Sequence, residues 1–220
     1  MGSFMHCSTK WSAGRRAAGT GGLLRAVVGW LLCCAAILHG VSAHAQAAPS
    51  IAHMEVERND DGLFVNASME FSLPSLVQEA LQQGIPMTFL AEAEVTRPRW
   101  YWSDEKVASV QRFFRLNYQP LTQRWRLSVS STPFSASGLG VSVGRSYDQL
   151  SEVLGAMQRI ARWNVADAQA LDPDAKYRVQ LRFQLDMSQL PRPLQIGALG
   201  RSGWSLAIAR TERVPALATP

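Results

Sequence analysis

Cysteine and histidine are almost missing from the larger part of this 220-residue chain. All three cysteines (Cys7, Cys33, Cys34) and three of the four histidines fall in the first 45 residues, and only His53 lies beyond them. Without those 45 residues, disulfides, catalytic thiols and Cys/His zinc sites are excluded. A Ser-His-Asp arrangement would depend on His53 alone, in the first predicted strand, and no G-x-S-x-G elbow accompanies it. An excess of one charge is lacking too. The chain carries 22 basic and 17 acidic residues, of which the first 45 positions hold four basic and none acidic. That leaves 18 against 17, a net +1, with no electrostatic footprint for nucleic acid and no polybasic cluster for an anionic membrane.

The N-terminus has the order of an export signal. Lys10, Arg15, Arg16 and Arg25 precede an apolar run from Ala26 to Leu38, and Val41-Ser42-Ala43-His44-Ala45 places small residues at −3 and −1 of a cut after Ala45. Basic region, apolar core and A-x-A site together predict a signal peptide over residues 1–45, hence a periplasmic or secreted protein. The alternative is an uncleaved leader tethering the chain to the inner membrane. The apolar run is short for the roughly 20 residues of a spanning helix.

A linker over 46–50 leads to a domain expected over 51–210, with 211–220 as a frayed tail. Ile51 to Arg58 reads as a strand, Asn59-Asp60-Asp61-Gly62 as a hairpin turn, and Leu63, Val65, Ala67, Met69 and Phe71 as the apolar face of the next strand. Ser72 and Pro74 open a helix carrying Leu76, Val77, Ala80 and Leu81, stopped by Gly84. Strands are expected at 85–95, 106–118 and around Trp125, Leu127 and Val129. Ser131 to Arg145 is rich in Ser and Gly and reads as the longest loop, and its Gly138 to Gly144 run has the spacing of no phosphate-cradling motif. Ser146 and Gln149 stand as a capping box for a helix ending near Arg162. A clean strand at Tyr177 to Leu185 and a last one carrying Trp204, Leu206 and Ile208 follow. The order ββαβββαββ, with polar and apolar residues alternating, predicts an α+β fold, a mostly antiparallel sheet or β-sandwich with two helices. The second helix argues against an outer-membrane barrel.

The densest concentration of recognition chemistry is Arg97 to Glu105, with two arginines, three consecutive aromatics and two acids in nine residues. Arg97 and Arg99 offer bidentate donors, Trp100, Tyr101 and Trp102 offer flat apolar faces, and Asp104 adds a carboxylate. These six are the candidate partner-binding residues. The competing structural reading buries Trp100 and Trp102 on one side of an inter-strand corner and Tyr101 on the other, with Arg99 pairing to Asp104. Glu92 and Glu94 share one face of a strand, which raises a second function, a cell-wall glycan hydrolase using paired carboxylates among Glu92, Glu94 and Asp104. A third is a sandwich keeping an apolar ligand pocket between its layers. The basic stripe of Lys176, Arg178 and Arg182 reads as a solvated face. No cofactor or metal is implied.

Several stretches together resemble a known family: Ile85-Pro86, Arg97-Pro98-Arg99-Trp100-Tyr101-Trp102-Ser103-Asp104, Arg115-Leu116-Asn117-Tyr118 with Leu121-Thr122 and Trp125, and Leu185-Asp186-Met187-Ser188-Gln189-Leu190-Pro191-Arg192-Pro193-Leu194-Gln195-Ile196. Over about Ile51 to Arg210 the chain resembles the proteobacterial "domain of unknown function 4390" family. The resemblance implies an exported proline-rich signal-peptide protein of Gram-negative bacteria, and gene neighbourhoods holding a sensor kinase. It implies no catalytic residues. The expectation is a non-enzymatic envelope protein that binds a protein, such as a sensor kinase's periplasmic region, or a cell-wall glycan.

Overall fold

Alternating apolar residues and tight turns build two antiparallel sheets. The computed structural model describes residues 48–101, 103–134, 143–190 and 202–215. The predicted leader, Trp102, most of the Ser/Gly-rich segment and the Pro191-Arg192-Pro193 run lie outside the described residues.

β1 (Ser50–Asn59), β2 (Gly62–Glu70) and β7 (Arg159–Asp167) form a three-stranded sheet in the order β1-β2-β7. β3 (Met87–Arg97), β4 (Glu105–Gln119), β5 (Arg124–Ser130), β6 (Val143–Tyr147), β8 (Arg178–Leu185) and β9 (Ala207–Arg213) form a six-stranded sheet in the order β6-β5-β4-β3-β8-β9. Helix α1 (Ser75–Gln82) links the sheets between β2 and β3, and α2 (Leu150–Met157) links β6 to β7. The expected α+β class with antiparallel sheets and two helices is what the chain adopts. Ser50, assigned to the linker, already belongs to β1.

The first hairpin shows how closely local chemistry follows the sequence. Asn59 Oδ1 accepts from the backbone N–H of Asp61 and of Gly62, at 3.0 and 3.1 Å. Gly62 has φ +142°, and a Cβ there would stand 2.3 Å from the Ala166 carbonyl oxygen, so β7 can lie against the turn only beside a glycine.

The core lies between the sheets. The inward side of β3, Met87, Phe89, Ala91, Ala93 and Val95, is wholly buried, as is that of β2 from Leu63 to Met69. Phe183 of β8 is the aromatic centre, with ring centroids 5.1 Å from Phe71, 5.8 Å from Phe89 and 6.0 Å from Phe114. Val77, Ala80 and Leu81 of α1, and Val153 and Met157 of α2, complete the enclosure. Where β1 meets β9 no ladder joins the sheets. Arg210 instead donates through Nη1 to the Ile51 and Ala52 carbonyls at 3.1 and 3.0 Å and is held by Glu212 at 2.7 Å.

Two strands lie where none was expected, so the order is ββαββββαβββ. β6 occupies the end of the supposed loop. Ser146 pairs with Arg126 in it and caps nothing; α2 begins after Gln149, whose side chain makes no cap bond, and the Asp148 N–H instead donates to Glu152 Oε2 at 3.3 Å. α2 stops at Met157, not near Arg162, and the next residues turn into β7. A bulge there sets Ile160 to Trp163 against Ala67 and Val65, with Arg162 at φ +43° and its N–H donating to Asn66 Oδ1 at 2.8 Å. That extra residue erases the period-two pattern that marks a strand. Two smaller corrections concern ends. α1 begins after Pro74 rather than at Ser72, and β9 continues to Arg213, so Thr211 to Arg213 are paired rather than frayed.

Because Phe183 touches aromatic rings from three other segments, Phe183→Ala is expected to cost about 3–5 kcal/mol, read from urea denaturation followed by far-UV circular dichroism.

Candidate functional site: the β3–β4 hairpin tip

The longest paired strands of the fold converge on a solvent-projecting turn. β3 and β4 pair up to Arg97 opposite Glu105, with a bulge at Val107 where the register shifts between Val95 and Thr96. Pro98, which has no N–H to continue the ladder, follows. Every described residue from Arg97 to Asp104 is exposed.

Trp100 is 92% exposed and Tyr101 66%. Their rings meet edge to face, with centroids 4.9 Å apart and planes at 70°. The expected burial of Trp100 on one side of a corner and Tyr101 on the other is therefore wrong. Among the described residues, the ring contact of each is with the other. Trp102 lies outside the described residues.

The charges around the tip are spoken for. Arg97 pairs with Asp172 at 3.5 Å, Arg99 with Glu105 at 2.5 Å, Arg178 with Asp104 at 3.8 Å and Lys106 with Glu94 at 2.9 Å. The predicted Arg99–Asp104 pair is thus replaced by two others, because antiparallel pairing sets β8 beside β3 and brings Arg178 to the loop. Asp172 also anchors the base. Its carbonyl accepts from Arg58 Nη2 at 2.9 Å, and its N–H donates to the Tyr177 hydroxyl at 2.7 Å. Asp172, Glu105 and Arg178 therefore join the six candidate residues at the tip. Glu105 adjoins Asp104 in sequence, whereas only the sheet topology brings Asp172 and Arg178 to the tip, although the alternation of β8 already put Arg178 on the outer face.

The carboxylates raised for hydrolysis do not face one another across a cleft. Glu92 and Glu94 lie on the outer face of the six-stranded sheet, where Glu92 accepts from Gln111 Nε2 at 3.3 Å and stands opposite Arg182. With Glu94 and Asp104 engaged by Lys106 and Arg178, each of the three carboxylates has a structural partner. His53 is an exposed strand residue 4.0 Å from Glu55.

Two exposed aromatics on a hairpin whose charges are paired present an apolar contact surface. Trp, Tyr and Arg dominate binding hot spots, and two adjacent exposed aromatics form a continuous apolar patch rather than a single scattered residue. Among the described residues, no helix is long and apolar enough to cross a membrane.

The chain belongs to the family described as Domain of unknown function (DUF4390), whose model matches residues 46–214. The comparisons with curated proteins and with solved structures find no match.

Since neither ring supports the core, Trp100→Ala and Tyr101→Ala are each expected to change the unfolding free energy by less than about 0.5 kcal/mol, and Arg99→Ala by no more than about 1 kcal/mol, less at high salt. Urea titrations at two ionic strengths check both.

Proposed function

We propose that this member of the DUF4390 family is an exported, non-enzymatic binding protein of the cell envelope, whose β3–β4 tip is inserted into a pocket on a protein partner. The observation that carries the reading is Trp100, almost wholly in water and braced by Tyr101 at the end of a firmly paired hairpin. The leader-like first 45 residues, with their basic region, apolar run and A-x-A site, support export to the periplasm.

Shape and charge favour a protein over the other partners. Small ligands need concave sites that enclose most of their surface, and a convex tip encloses nothing. Glycan recognition by this tip would leave most of each sugar in solvent. An anionic surface would call for free cations, whereas the tip's arginines are matched by acids. A protein pocket needs only an apolar anchor that loses little conformational freedom on docking, and a Trp backed by a Tyr is such an anchor.

Affinity capture from envelope extract tests this, with the purified protein, a Trp100→Ala/Tyr101→Ala variant and, as a control, Leu121→Ala at the opposite end of β4. A protein retained by the wild type and the control but lost by at least about tenfold with the tip variant is the expected outcome, matching the loss of one hot-spot anchor. Identical capture by all three forms overturns the assignment. So does a tip-dependent interaction found only with isolated cell-wall glycan.

A further inference from the structure

The two sides of the sandwich are finished differently. On one side Arg210 latches β9 to β1. On the other, the six-stranded sheet extends past its partner, since β7 packs over β3 and β4 while β5 and β6 continue outward. α2 leans against β5, β6 and β7. Between the helix and the overhanging sheet lies a groove of about 250 Å³.

Apolar and aromatic residues make up most of its lining, Phe114, Leu127, Val129, Val143 and Tyr147 from the sheet and Ala156 from α2. Phe114, Val129 and Val143 form one cross-strand row. Val143 is 66% exposed although it faces the same side as buried Leu127. The volume holds about eight waters at roughly 30 Å³ each, or an aliphatic chain of similar atom count.

One cation stands at the groove. Arg145 lines it. Asp148 and Glu152, close to Arg145 in sequence, are engaged elsewhere, with Asp148 on Arg124 at 3.0 Å and Glu152 accepting from the Asp148 N–H. Arg112 sits one pleat beyond Phe114 on the same face of β4, its guanidinium 4.8 Å from the Trp163 ring. Burial pulls the Arg112 pKa below its ordinary value. An anion nearby would offset that loss of hydration. Among the described residues, no carboxylate pairs with Arg112 or Arg145.

We propose that this groove binds a medium-chain acyl carboxylate, with its tail on the Phe114–Val129–Val143 row and its carboxylate at Arg145. Apolar lining alone would accept any oily segment. The unmatched guanidinium selects an anionic head, because a charge-assisted, bidentate contact favours carboxylate over hydroxyl and repels ammonium. The inference is independent of the hairpin tip, which lies on a different strand end.

Isothermal titration of the purified protein with octanoate, octan-1-ol and octylammonium, all below micellisation, provides the test. Saturable one-to-one binding of octanoate is expected, with octanol weaker by about tenfold, as loss of one charged contact implies, and no octylammonium binding. Arg145→Ala should bring octanoate down to the affinity of octanol. Val143→Asp, at an exposed position that does not endanger folding, should abolish octanoate binding. Ala156→Phe should fill the groove and remove binding of both neutral and anionic chains, with the unfolding midpoint confirming the fold. Failure of the folded wild type to bind octanoate overturns the proposal. Equal affinity for octylammonium, or octanoate binding unchanged by Val143→Asp, overturns it as well.

Discussion

The architecture depends on one aromatic contact between segments distant in sequence. Phe183 reaches the middle of the core only because β8 pairs with β3, and there it stacks on Phe89 of its neighbour strand and on Phe71 at the end of β2. Phe71 belongs to the chain leaving the three-stranded sheet, so the same ring cluster that fixes β8 in its sheet also ties that sheet to its partner. With no cysteine in the described part of the chain, burial carries this load alone. Small residues at Ala91 and Ala93, flanked by large ones at Phe89 and Val95, give the inward surface of β3 the relief that close packing against a second layer requires.

From that centre the molecule grows less symmetric. Arg210 is a polar fastener at the β1–β9 side: its guanidinium donates to two carbonyls of β1, and Glu212 holds its orientation. At the far side, β5 and β6 reach beyond the cover of β7 and leave the α2 groove. At the β3–β4 tip Trp100 and Tyr101 stand exposed against each other. The same constraint, a three-stranded sheet smaller than its six-stranded partner, thus produces both a sealed centre and two places where apolar surface meets water.

Much of this was readable in the residues. Strict alternation in β2, β3 and β8 identified their buried faces correctly, because each lies against one continuous core with no irregularity in its inward positions. Asn59 and Gly62 announced the first turn for reasons visible in their side chains. β7 stayed hidden because its bulge at Arg162 puts two outward residues in succession, and because Ile160 falls at helical spacing from Met157. β6 was hidden by composition, since its residues are mostly exposed and small or polar. The unusual residues of the tip stand out in the sequence, but their exposure does not: periodicity tells which side of a strand a residue faces, not whether a second layer covers it. Asp172 and Arg178 joined the tip through tertiary neighbours, which no local pattern encodes.

The claim that the tip, and not exposed apolar surface in general, is the recognition element is the one on which the functional account stands. Leu121 provides the natural comparison, being fully exposed in the β4–β5 turn at the other end of the same strand. Site-specific photo-crosslinking from position 100 and from position 121, in cells making the full chain, tests the claim most directly. The account predicts a discrete protein adduct from position 100 and none from position 121. Absence of any adduct from position 100, or the same adducts from both positions, would contradict it.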